Sequence, residues 1–223
     1  MKFLENELGH YYKDSDIFVF FGKISATLEQ IKDAYPEYKF FKIKQTHSDL
    51  IVRASAIPAV ADAHWTDESK SALLISTADC IPLMIFCKQT RRATAIHAGW
   101  RGVASQIVIK ALNEIIFSGS SEKEFLFFLG PHILQESFEV LEDTFQLLLA
   151  AQSNLAFHEY SFKKNGKYFV DLQKIVFSQI QFAIKKEPII LTLKIDTKSN
   201  LNFNSYRRDL KKSGRNLSFI SKQ

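Results

Sequence analysis

Between Ala61 and Gly102 the chain holds three short apolar runs, each closed by a polar break. Residues 72–76 and 82–86 flank Thr77-Ala78-Asp79-Cys80, and residues 93–96 run into His97 before Gly99-Trp100-Arg101-Gly102. Runs this short, rich in Ile, Leu and Phe and bounded by breakers, predict buried strands. A sheet-based core follows, with Cys80 and His97 at strand ends, where side chains from different elements can converge. His47, in Lys44-Gln45-Thr46-His47-Ser48, stands just before a further β-like run at 50–53.

The flanking sequence predicts an alternation of strands and helices. Strands are expected at 16–21, 39–43 and 50–54, with Ala61-Asp62-Ala63 a strand entering the central stretch. Ser25 can cap a helix that shows Leu28, Ile31 and Tyr35 on one face and ends at Pro36. Ile107, Leu112, Ile115 and Ile116 recur at helical period, which predicts one helix over 103–117, stopped by Ser118-Gly119-Ser120-Ser121. A strand at 124–129 runs into Gly130-Pro131-His132, and a helix is expected over 142–151. Asn165-Gly166 marks a hairpin, 172–184 a helix, and 189–193 and 217–220 strands. With no repeat, linker or low-complexity segment, the reading is one α+β domain over 1–223, mixed β-sheets layered with helices.

The net charge of +5 gathers in 194–222, where Lys194, Lys198, Arg207, Arg208, Lys211, Lys212, Arg215 and Lys222 face two aspartates. No nucleic-acid motif accompanies them, so they read as a solvated surface with an arginine or two free to meet a phosphate or carboxylate; no specific nucleic-acid partner is expected. Two cysteines are too few for a secreted disulfide scaffold and point to a reducing compartment. The start lacks the pattern of a signal peptide, and no run approaches the roughly 20 apolar residues of a membrane span. A cytoplasmic, soluble protein is expected; its oligomeric state does not follow.

One thiol and two imidazoles at chain breaks suit zinc, which in catalytic sites takes three protein ligands and leaves a fourth position to water of pKa near 7. Copper would accept the same donors. Their spacing forms no recognised metal pattern, and two other readings stand beside it. The three side chains could be half-buried and satisfied by backbone, or Cys80 could be a thiolate nucleophile activated by His97. Asp62 and Asp79 could orient a histidine or a metal-bound water, and Asp79 equally suits a turn. Arg101 at a helix start suits an anion, and Arg207 and Arg208 with Tyr206 and Arg215 offer a second foothold.

In order and in kind, several segments resemble the YfiH-like family, known both as laccase-domain multicopper polyphenol oxidases and as purine nucleoside phosphorylases. They are Lys44-Gln45-Thr46-His47, Ala61-Asp62-Ala63, Thr77-Ala78-Asp79-Cys80-Ile81-Pro82, Ile96-His97-Ala98-Gly99-Trp100-Arg101-Gly102, Gly130-Pro131-His132-Ile133, and Ser205-Tyr206-Arg207-Arg208-Asp209 with Gly214-Arg215. The resemblance implies a three-layer fold and a zinc held by His47, Cys80 and His97. It implies phosphorolysis of adenosine, inosine and methylthioadenosine, with adenosine deamination beside it. Cys80, His97, Asp62 and Asp79 would then be the catalytic set, one of the two aspartates serving as acid/base group, and Arg101 or Arg207 would hold phosphate. Relatives are also described as copper oxidases and as hydrolases editing cell-wall precursors. A single Cys-His-His set is one metal site, whereas multicopper oxidation needs several. A metal-free Cys-His hydrolase acting on an amide or peptidoglycan precursor is the alternative enzyme, and a degenerate nucleoside-binding protein the non-enzymatic one. The chain departs from the family in its N-terminal segment, where Phe20-Phe21-Gly22-Lys23-Ile24-Ser25 stands for a longer motif, so the domain reads as N-terminally shortened. Asp196-Thr197 stands for a Cys-Thr pair.

Overall fold

In the computed structural model, which describes residues 1–117, 124–151, 157–184 and 186–223, the chain opens as an antiparallel meander. Its strands are β1 (Leu4–Glu5), β2 (Gly9–Lys13) and β3 (Ile17–Gly22). Helix α1 (Leu28–Ala34) follows, then β4 (Lys39–Phe41), β5 (Ile51–Arg53) and β6 (Ala63–Thr66). The three central runs become β7 (Ser71–Thr77), β8 (Ile81–Cys87) and β9 (Arg92–Ala98). After them come α2 (Trp100–Ala104), α3 (Ile107–Phe117), β10 (Phe125–Leu129), β11 (Glu139–Val140) and α4 (Glu142–Ala150). Next are α5 (Phe157–Tyr160), β12 (Ser161–Lys164), β13 (Lys167–Val170), α6 (Leu172–Ala183) and β14 (Ile189–Thr192). Helix α7 (Tyr206–Asp209) leads through a 3-10 turn, Leu210–Lys212, into β15 (Asn216–Lys222).

Two six-stranded mixed sheets pack face to face. One has the order β1-β2-β3-β15-β7-β4 and the other β14-β10-β8-β9-β6-β5, while β11, β13 and β12 form a small third sheet. Between the large sheets, Ile17, Val19, Phe21, Leu73 and Ile75 meet Met84, Phe86, Ala95 and Phe128. On its other face the second sheet presents Ile81, Leu83, Ile85 and Ile96 to Val103, Ile107 and Leu112 and to Ile175 and Ile180 of α6. Strand β8 is therefore covered on both sides, which is why its apolar run is unbroken rather than alternating. Sheet, sheet and helices make three layers, and α1 rests on the outer face of the first sheet against Phe18, Phe20, Leu74 and Phe219. No helix among the described residues is long and apolar enough to cross a membrane.

Several local expectations change. The cap of α1 is Thr27, not Ser25: its hydroxyl accepts from Gln30 N while the Gln30 side chain returns to Thr27 N, a reciprocal capping box. The helix expected over 103–117 is two, because Gln106 takes φ 61° and turns α3 away from α2. The hairpin at Asn165-Gly166 has both central residues at positive φ, 50° and 75°, as a two-residue turn between twisted strands requires. Strands β1 and β2 were not expected at all. The stop at 118–121 lies outside the described residues.

Candidate metal centre

Chain crossing between the two sheets creates the site. After β4 the backbone leaves β7, and Lys44 exchanges bonds with Ala59 and Ala61 on the way to the second sheet. His47 follows in a left-handed conformation, φ 61°. Such a turn is unfavourable for a non-glycine residue and persists only where its surroundings hold it. Asp62 holds it here. Its fully buried carboxylate accepts from the backbone N–H groups of Thr46, His47 and Ser48 at 3.1, 3.0 and 2.6 Å, and from the Ser48 hydroxyl at 2.7 Å.

The same carboxylate receives His97 Nδ1–H at 2.7 Å. His97 sits on β9 opposite Pro82 and is buried, and its commitment to Asp62 leaves Nε2 as the ring nitrogen available to a ligand. Cys80 ends the β7–β8 turn, shaped by Asp79 at φ 83°. The His47 Nε2 lies 3.8 Å from Cys80 Sγ, the His47 and His97 ring centres are 4.7 Å apart, and all three donor atoms fall within 4.8 Å of one another.

Gly99 explains how they fit. Its backbone is ordinary, φ −74°, but a Cβ there would stand 2.9 Å from His47 Cδ2 and 3.1 Å from Cys80 Sγ. One thiol and two imidazoles converging from three chain segments match the donor chemistry of a single borderline-soft divalent ion such as zinc. The residues present fit that group.

Charge in the metal-free centre is polarised. Burial pushes Asp62 up, but its bonds from His97, Ser48 and Thr46 outweigh this and hold it well below the usual carboxylate range. Burial pushes the His97 imidazole down, and Asp62 and then Cys80 reverse it, raising it to about 9. Burial pushes the Cys80 thiol up, and His47 and His97 outweigh that, bringing it to about 6. A thiolate beside an imidazolium results.

His47, Cys80 and His97 line a cleft of about 780 Å³. Ile133, Phe138, Val140, Leu141 and Leu172 form an apolar wall, and Arg101, Arg207 and Arg215 bring three guanidiniums to the same space. Arg101 lies over the Trp100 ring at 4.4 Å. Arg207 donates from its side chain to Glu139 O at 2.8 Å, and from its backbone to Asp79 Oδ2 at 2.6 Å. Thr197 donates to the other Asp79 oxygen at 2.7 Å, so Asp79 joins the Cys80 turn to the arginine-bearing helix. Arg208, grouped with Arg207 by sequence, turns elsewhere: it donates to the carbonyls of Thr197 and Phe203 and pairs with Asp209. Sequence reasoning gave Gln45 and Thr197 no role. Both act through groups distant in the chain, and a glutamine or threonine in a connecting segment carries no signal of that.

Residues 23–223, everything from α1 to β15, match the family described as multi-copper polyphenol oxidoreductase laccase. A purine nucleoside phosphorylase of Clostridium acetobutylicum is 28% identical over 202 residues, which is 88% of this chain and 82% of the relative. Purine nucleoside phosphorylase YfiH of Escherichia coli is 27% identical over 183 residues, 80% of this chain and 72% of the relative. The crystal structure of YlmD from Geobacillus stearothermophilus aligns with a TM-score of 0.86 at 19% identity, over 99% of this chain and 98% of that one, a likeness of fold. With nine-tenths of its length inside one family's pattern, and the fold of a solved relative throughout, the chain belongs to the multi-copper polyphenol oxidoreductase laccase family, among its YfiH-type members.

Proposed function

We propose that this chain is a cytoplasmic, zinc-dependent purine nucleoside phosphorylase acting on adenosine, inosine or methylthioadenosine, and that it also deaminates adenosine. One observation carries the reading: the donors of His47, Cys80 and His97 converge within 4.8 Å on the floor of a cleft that gathers Arg101, Arg207 and Arg215. The names of the relatives favour the same activity. Zinc held by those three side chains would supply a Lewis acid and activate water.

The remaining work falls to the chain itself. In phosphorolysis a phosphate oxygen bonds to ribose C1′ as the C1′–N9 bond breaks, yielding ribose 1-phosphate and free purine. Arg207 and Arg101 hold the phosphate, since a guanidinium fork matches its oxygens. The wall of Ile133, Phe138, Val140 and Leu172 receives the base and keeps water off it. In deamination a water oxygen replaces the amino group at C6 and ammonia leaves. Asp62 serves as a positioning residue that aims His97 and shapes the His47 loop, while Asp79 seats Arg207 and, with lone pairs left toward the cleft, serves as the acid/base carboxylate.

Metal analysis and a two-tube assay test this. Purified protein is expected to carry zinc in stoichiometric amount, to release adenine from adenosine only when phosphate is present, and to form inosine without it. Metal-free protein that leaves adenosine unchanged in both tubes would end the proposal. A second reading draws on the thiolate beside an imidazolium, with Cys80 at about 6 and His97 at about 9: a metal-free Cys-His hydrolase acting on an amide or a peptidoglycan precursor. Activity that survives chelation and is lost on alkylating Cys80 would select it.

A further inference from the structure

The His47 loop is tied to its surroundings in two ways. Asp62 ties it to His97. The second tie is made by Gln45. Strand β4 pairs in parallel with β7 only from Lys39↔Ser71 to Phe41↔Leu73, after which the chain crosses toward the second sheet while β7 runs on to Thr77. At Ser76 the Gln45 side chain takes the place the departing strand leaves. Its Nε2 donates to Ser76 O and its Oε1 accepts from Ser76 N, both at 2.8 Å. Satisfying the N–H and C=O of one residue together is what a neighbouring strand does in a ladder, and here a single primary amide does it.

The place of this bridge gives it a consequence. Gln45 stands two residues before His47, and Ser76 four before Cys80, so the amide joins the segments that deliver the imidazole and the thiol. Those groups stand 3.8 Å apart across an exposed histidine whose backbone is left-handed. We infer that Gln45 is a positioning residue that sets the spacing between the His47 imidazole and the Cys80 sulfur, and with it the zinc affinity of the centre. The inference rests on the zinc reading above. Outer partners that orient metal ligands typically change affinity by about 10–100-fold, and this bridge lies in the lining of the cleft itself.

Two variants of the full chain test it. Gln45→Met keeps length and bulk and loses both bonds. Gln45→Glu keeps the acceptor for Ser76 N but sets a carboxylate oxygen against Ser76 O. Zinc affinity is read by competition with a chromophoric chelator, ligand geometry by the thiolate-to-cobalt band of the cobalt-loaded protein, and the fold by thermal unfolding of the metal-free protein. In both variants zinc affinity is expected to fall about tenfold or more, with a weakened cobalt band. The metal-free Tm should stay within about 2 °C of the parent. Parental affinity in both variants overturns the inference while leaving the zinc reading intact. An affinity loss matched by an equal loss of metal-free stability, or failure of both variants to fold, assigns Gln45 an ordinary place in the sheet and overturns it too. A parent protein that takes up no zinc overturns the reading of the centre and this inference with it.

Discussion

His97 gives its Nδ1–H to Asp62 at 2.7 Å, and the carboxylate that receives it also gathers the backbone N–H groups of Thr46, His47 and Ser48. One buried anion therefore aims one imidazole and shapes the loop that carries the other. Orientation of the donor set and local folding share a single residue.

Asp62→Asn keeps the size of the side chain and removes its charge, leaving the donors of Thr46, His47, Ser48 and His97 around an amide that can accept from only some of them. Removing one partner of a buried charged network costs about 3 kcal/mol. Urea unfolding of the metal-free variant is expected to show a loss of that order, together with weaker zinc binding. A variant as stable as the parent would mean that the loop holds itself.

The metal-free centre makes a signed forecast for pH. His97 is raised to about 9, so its contribution is complete below its unfolded pKa near 6.5 and is lost as pH rises through 9. Cys80 is lowered to about 6, so its contribution is present above its unfolded pKa and is lost as pH falls through 6. Between those limits folding moves a proton from sulfur to imidazole without net uptake, and this pair leaves stability nearly flat. Cys80→Ser should unmask the part of the His97 half that Asp62 supports, with stability falling as pH rises above about 6.5 and the fall ending short of the parent's 9. Urea titrations at several pH values, in chelator, would show it.

Gly99→Ala introduces a methyl group where His47 and Cys80 press closest, on a backbone that alanine adopts freely. The exposed His47 ring should yield rather than the fold. Zinc content is expected to drop sharply, while unfolding free energy changes by less than about 1 kcal/mol, the scale of an N-cap exchange. Full zinc occupancy in this variant would place the ion elsewhere.

Arg207 and Arg208 are neighbours with separable fates. Arg207→Ala removes a guanidinium from the cleft and should raise the KM for phosphate at least about tenfold, the loss expected of a charge-assisted bond, with little change in Tm. Arg208→Ala removes bonds to the carbonyls of Thr197 and Phe203 and should instead lower Tm, leaving phosphate dependence near the parent's. Steady-state kinetics beside thermal melts distinguishes the two, and a reversed pattern would refute the assignment.

Much of the architecture is legible in the residues. Strands β7, β8 and β9 announce themselves because sheets covered on both faces need unbroken apolar runs, and Asn165-Gly166 because only such residues take two positive φ angles in succession. Strands β1 and β2 do not, since Leu4 and Glu5 are exposed and carry no alternation. The break at Gln106 escapes periodicity because Val103 and Ile107 keep the apolar stripe running through it. At the centre, residue types single out the three side chains that the fold brings together. What they cannot name is the support: the left-handed turn at His47, the amide of Gln45 and the junction at Asp79 each depend on a partner far along the chain.

Strand β15 lies in the middle of the first sheet, joined to β3 on one side and to β7 on the other, with Lys222 opposite Ile17. Neither half of that sheet is continuous until residues from opposite ends of the sequence have met, and contacts so remote in the chain form slowly. The strand that leads to Cys80 is thus seated by the last strand of the chain, which pairs Asn216 with Thr77, three residues before the thiol.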